Sequence, residues 1–209
     1  MQRITNWGGI AASIILIVFG AGTLVMGLNG HGTVSDSLKK EQIVGTPDMT
    51  PKLIQAEATK AGLKNVDIPS SSVAGKSIDT PAEARTFAEY MRIHTLLATN
   101  GQVYANMPRY LDANGKPTDN QAQAAKNPKT GGPVENGARN IWVTETALST
   151  ALNTSYFANQ VALFSTIIGI ALLLTGIGFG VVTARVLLTR KEERVTTDRT
   201  ANAPAPTAA

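Results

Sequence analysis

The sequence predicts an all-α membrane protein. Two transmembrane helices bracket a mostly helical extracytoplasmic domain, and the second span is part of one long helix that continues out of the membrane. Three observations carry this expectation. First, Val161–Val182 (VALFSTIIGIALLLTGIGFGVV) holds no charge and no proline. At about 1.5 Å per residue it covers roughly 33 Å, enough for a hydrocarbon core of about 30 Å. Lipid offers the backbone no hydrogen-bond partners, so such a run must be helical. Second, Trp7–Leu28 is an equally uncharged run with Ile14, Ile15, Leu16, Ile17, Val18 and Phe19 at its heart. Third, the basic excess sits outside the two runs. Between His31 and Phe157 there are thirteen Lys/Arg against twelve Asp/Glu, whereas Arg3 precedes the first run and Arg185, Arg190, Lys191, Arg194 and Arg199 follow the second.

In chain order, residues 1–6 form a short head and 7–28 the first span. A signal peptide is the rival reading of that span. Its apolar region should be shorter and end in a small-residue cleavage site, whereas this run is longer and ends in MGLNGHG, so an uncleaved anchor is expected. Trp7 suits an interfacial aromatic position. Residues 29–157 then form the outer domain. Val34–Val44 can prolong the first helix, weakened by Gly27, Gly30 and Gly32 and ended before Pro47. Thr50-Pro51 opens a short helix that Gly62 stops. Lys64–Ile78 reads as extended and turn-rich. Thr80-Pro81-Ala82-Glu83 joins a capping box to proline at the first helical position. The helix it opens runs to about Asn100 with an apolar stripe of Phe87, Tyr90, Met91, His94, Leu97 and Ala98, and Gly101 closes it.

The segment 101–137 is dense in Asn, Gly, Pro and Lys. So long a loop is usually functional or disordered, and a disordered tip is expected. From Ala138 a new helix carries Ile141, Leu148, Leu152 and Tyr156 on one stripe and runs without proline into the second span, 158–184. No charge occurs from Thr146 to Ala184. Residues 185–209 make a basic and then disordered tail, ending in ANAPAPTAA. Lys and Arg in short flanks prefer the cytoplasm, which puts both termini inside and the central domain outside.

Small residues recur at Gly8 and Ala12, at Gly9 and Ser13, and at Gly176 and Gly180 with Gly178 between. This spacing fits close helix packing, within or between chains, and equally fits the ordinary glycine content of membrane helices.

Several function classes fall away. No cysteine is present, so disulfides, thiolate metal sites and cysteine nucleophiles are excluded. No basic stripe with interleaved aromatics marks a nucleic-acid partner. The two histidines, His31 and His94, form no H-x-x-x-H, H-x-H or H-E pair. His94 is expected to pack and hydrogen-bond on its stripe, His31 to sit at the mouth of the first span. Asp112-Ala113-Asn114-Gly115 with Asp119 lacks the glycine position of a calcium loop and reads as a surface turn. Asn153-Thr154-Ser155 matches a glycosylation triplet but falls within a helix. Ser70–Ser72 have no histidine nearby in sequence to complete a triad.

AGKSIDTPAEARTFAEYMRIHTLLATNGQVYANMPR (Ala74–Arg109), ARNIWVTETALSTALNTSYFANQVALF (Ala138–Phe164) and the span that follows together carry a resemblance. The chain resembles the actinobacterial two-span membrane proteins that go under the name aromatic ring-opening dioxygenase LigA. That name would imply a ferrous centre, generally two histidines and a carboxylate with an open coordination position. One histidine at the membrane mouth and one on an amphipathic helix do not supply it. The expectation is therefore a non-enzymatic cell-membrane protein with no catalytic, cofactor-binding or metal-binding residues. Its expected partners are the lipid bilayer and another membrane or envelope protein, or a second copy through the small-residue faces. A ligand-sensing or accessory subunit of a membrane complex is the alternative, and a metal-dependent dioxygenase the remote one.

Overall fold

In the computed structural model the backbone is described for residues 2–201 and the side chains for 7–191. Four α-helices dominate: α1 (Gln2–Glu41), α2 (Pro51–Lys60), α3 (Pro81–Ala98) and α4 (Gly137–Ala201). Two of them, within Trp7–Glu41 and Gly137–Lys191, are long and apolar enough to cross a membrane. Both α1 and α4 contribute to two compact units, one of residues 1–30 with 161–209 and one of 31–160. The helix expected from Ala138 starts at Gly137 and runs through the basic segment to Ala201. Of the tail expected to be disordered, residues 202–209 lie outside the described residues.

The first unit is an antiparallel pair of helix segments held by glycines. A Cβ at Gly169 would stand 2.6 Å from the Leu24 nitrogen and 2.9 Å from the Gly20 carbonyl oxygen. One at Gly20 would stand 2.7 Å from the Leu173 nitrogen. Gly27 meets Ala162 and Thr166, Gly176 meets Ile17, Gly180 meets Ser13, and Gly9 meets Thr183. On α4 the seam is thus Ala162, Thr166, Gly169, Leu173, Gly176, Gly180 and Thr183, alternating steps of four and three. That is the heptad spacing of a coiled-coil face, here with backbone close to backbone. Ser13 Oγ donates to the Gly176 carbonyl at 2.7 Å inside the seam. Of the small residues singled out from sequence, Gly9, Ser13, Gly176 and Gly180 lie on it. Gly8 and Gly178 have open space instead. The large side chains point away: Ile15, Phe19, Phe164 and Phe179 are more than half exposed.

The second unit inverts this arrangement. Ile54, Ile78, Tyr90, Ile93 and Val73 are fully enclosed, and Leu38 of α1 and Leu152 of α4 join the same core. Thr50 caps α2 by accepting from the Leu53 N–H at 3.2 Å. A Schellman motif ends it: Leu63 N–H reaches Ala58 O at 2.9 Å and Gly62 N–H reaches Thr59 O at 3.0 Å, with Gly62 at φ +71. The capping box of α3 is complete, because Glu83 N–H donates to Thr80 Oγ1 at 3.3 Å and Thr80 N–H to Glu83 Oε2 at 3.1 Å. The C-terminus of α3 repeats the Schellman pattern with Asn100, φ +52, in the left-handed position ahead of Gly101.

Of the stripe expected on α3, Tyr90 is fully buried, and the rest lies at the side of a wider buried arc. Phe87, Met91, His94 and Leu97 are half-buried and Ala98 is exposed, while Ala84, Ala88, Thr95 and Thr99 are buried with Tyr90 and Ile93. A helix covered on more than one side presents small residues where neighbours come closest, and an apolar count does not find these.

The segment expected to be a disordered tip is hydrogen-bonded instead. After a single 3-10 turn (Tyr104–Asn106), β1 (Tyr110–Leu111) pairs antiparallel with β2 (Pro117–Thr118). Isolated bridges Tyr110↔Glu135, Asp112↔Ala124 and Lys126↔Pro133 continue the ordering. Elsewhere the link between α1 and α2 bridges the strand-like stretch before α3, at Val44↔Ser77 and Gly45↔Ala74. A side chain at Gly45 would collide with the Val73 carbonyl, so that position requires glycine.

Candidate functional site

Both candidate arrangements lie in the second unit. The first gathers Asp48 from the turn before α2, Glu57 from α2 and His94 from α3. One nitrogen or carboxylate oxygen of each lies within 4.8 Å of the others, and among the described residues this is the group of three that could hold a metal ion. Each sits beside an anchored core residue: Asp48 beside Met49, Glu57 beside Ala58 and His94 beside Ile93, all buried. His94 Nε2 is 2.9 Å from Asp48 Oδ2, and both side chains keep about a third of their surface exposed (29% and 35%). The nitrogen itself is closed off from solvent, and it lacks an aligned hydrogen bond despite that short distance. Thr46 Oγ1 donates to the other Asp48 oxygen, Oδ1. That hydroxyl is the main reason the Asp48 carboxyl titrates below its ordinary range; partial burial opposes the shift and His94 adds to it.

The second arrangement faces an open groove of about 520 Å³ between α3 and α4. Glu145 is 4% exposed, a carboxylate that requires partners. Its Oε1 accepts from Ser149 Oγ at 2.7 Å, and its Oε2 lies 3.4 Å from Arg92 Nη1. The Arg92 guanidinium also lies 4.0 Å over the centre of the buried Trp142 ring. Held on two sides, Arg92 remains partly exposed to the groove, where Asn65, Asp67 and Glu89 add further polar groups.

The remaining sequence candidates occupy ordinary structural roles. His31 Nδ1 is hydrogen-bonded to Asn159 Oδ1, tying α1 to α4, and His31 takes no part in the Asp48–Glu57–His94 group. Asp112 Oδ1 accepts from the Asn114 and Lys116 N–H groups, both at 2.8 Å, and forms the β1–β2 turn, with Gly115 at φ +75. Asp119 Oδ1 accepts from the Arg109 N–H at 3.0 Å. Asn153-Thr154-Ser155 lies within α4, where Thr154 Oγ1 donates back to Thr150 O. Ser72 Oγ donates to Met49 O, and Tyr90 Oη to Ser71 O.

Sequence reasoning singled out His94 but read it as a packing residue, and it named neither carboxylate neighbour, since Asp48 and Glu57 are remote in the chain and share no spacing pattern with it. Glu145 carried a signal that went unused: it is the last charge before the long neutral interval of α4. Comparison with protein-family models, curated proteins and solved structures gives no match.

Proposed function

We propose that the chain is an integral cell-membrane protein that presents residues 31–160 on the outer side to another membrane or envelope component and performs no catalysis itself. The observation that carries this reading is the inverted first unit. Only 11% of the most apolar window of each long helix is buried, so most of that apolar surface faces outward from the pair. An outward apolar surface of that length matches a lipid environment. The charge asymmetry supports both termini in the cytoplasm. The resemblance to two-span membrane proteins points the same way.

The native chain lacks cysteine, so single introduced cysteines report cleanly. Asn114→Cys should react with a membrane-impermeant maleimide in intact cells, and Arg194→Cys only after permeabilisation; the reverse pattern would overturn the topology. A photo-crosslinker at exposed Val44 or Tyr104 should capture a distinct envelope or membrane polypeptide. Adducts with lipid alone would count against presentation to a protein partner. A second reading, an accessory subunit that senses a small polar ligand, is favoured by the Arg92–Glu145 groove. In that case Arg92→Ala would abolish a ligand-dependent rise in thermal stability while leaving crosslinking at Val44 intact.

A further inference from the structure

We infer that Asp48, Glu57 and His94 form a binding site for one divalent cation of the zinc class, which clamps α2 and the turn before it onto α3. The inference is independent of the proposed partner and goes beyond it.

Three features point to an ion. The ligand atoms come from three separate pieces of chain and converge within 4.8 Å of one another, each on a residue next in sequence to a buried one. At the centre, His94 Nε2 is closed to water and has no aligned hydrogen bond. Its contact with Asp48 Oδ2 at 2.9 Å is short but misaligned, which leaves the buried nitrogen only partly satisfied, and an ion shared by the two groups would satisfy both. Finally, Thr46 holds Asp48 through Oδ1, so Oδ2 is the oxygen turned toward His94. A hydroxyl that orients a liganding carboxylate is the outer-shell support found at metal centres.

The donor set selects the ion. One imidazole nitrogen with two carboxylate oxygens suits zinc, at about 2.0–2.2 Å from each ligand. Magnesium and calcium favour all-oxygen surroundings. Zinc ligands stand closer together than 4.8 Å, and the exposed Glu57 side chain is free to swing the remaining distance. Three protein ligands leave one tetrahedral position for water on the exposed side.

The test uses the full chain in detergent with any affinity tag removed. Zinc chloride is titrated against a chromogenic chelator, and thermal unfolding is followed with and without zinc. The wild type should bind one equivalent and gain thermal stability in zinc, while magnesium at the same concentration should do neither. Glu57→Gln is the decisive variant, because its exposed side chain can change without disturbing the core; it should weaken zinc binding at least tenfold and remove the thermal gain while the zinc-free helix content stays unchanged. His94→Gln should do the same, and Asp112→Asn should bind as the wild type does. Absence of saturable zinc binding by the folded wild type would overturn the inference, as would binding that survives both Glu57→Gln and His94→Gln. Neither result bears on topology or partner capture, so the two proposals fail separately.

Discussion

The two units of this chain pack apolar sequence in opposite senses. In the first, glycines meet backbone and the phenylalanines and isoleucines point outward. In the second, Ile54, Ile78, Tyr90 and Ile93 point inward and the described charges, Glu145 excepted, lie outside the core. Residue type alone does not separate the two regions, because α1 and α4 supply both. The difference is the one that the proposed placement, the first unit in lipid and the second in water, would require. In water, burying large apolar side chains drives association. In lipid that drive is absent, and helices gain by close van der Waals contact, which small residues permit.

The sharpest way to break the second unit and spare the first is Tyr90→Ala. It empties a fully enclosed site and leaves the Ser71 carbonyl without its donor at 3.0 Å. A loss of about 4 kcal/mol is expected. Hydrogen exchange should show it in amides of 31–160, with protection of the 161–184 amides unchanged.

The converse experiment is Gly169→Leu, set against Gly178→Leu. The first drives a side chain into the Leu24 and Gly20 backbone, which has nowhere to go, whereas the second enters open space. About 3 kcal/mol should separate them. The readout is disulfide formation between Ser13→Cys and Gly180→Cys, whose positions face each other across the seam. Equal crosslinking in both backgrounds would dissolve the contrast between the units.

A smaller effect is expected at the cap of α3. Thr80→Ala removes the hydroxyl that accepts from the Glu83 N–H, while the residue-80 N–H can still donate to Glu83, and should cost about 1 kcal/mol in the second unit alone, seen in chemical denaturation.

The pH dependence is finer still. The folded Asp48 carboxyl titrates below its unfolded value, so its contribution is present above the unfolded pKa and fades as pH falls through the folded one. Thr46→Ala removes the main cause, and carboxyl NMR should show the Asp48 midpoint moving up. At the other extreme burial, helped by Glu89, raises the Tyr90 phenol above its ordinary value. Its contribution is complete below that ordinary value and is lost as pH rises through the folded one.

What could be read from the sequence was local. Thr50-Pro51, Gly62 and Thr80–Glu83 act within a few residues of themselves, so their roles survive folding unchanged. The closest contacts were not legible. Gly20, Gly27 and Gly169 matter through the opposite helix, and no spacing within one segment states the register of an antiparallel partner. The order in 101–137 rests on backbone bridges between residues of unremarkable type, such as Tyr110 with Glu135. The candidate site was not legible as one: His94 stood out as one of two histidines but read as a packing residue, and only the fold brings Asp48 and Glu57 to it.

The central claim is that the outward apolar surface of the first unit faces lipid. Spin labels on single cysteines at Phe19, Phe164 and Phe179, and at Val44 in the second unit, test it in reconstituted bilayers. The account predicts that the three phenylalanine positions relax with dissolved oxygen and ignore a polar nickel reagent, while Val44 does the reverse. Ready access of the nickel reagent to Phe19, Phe164 and Phe179 would contradict it.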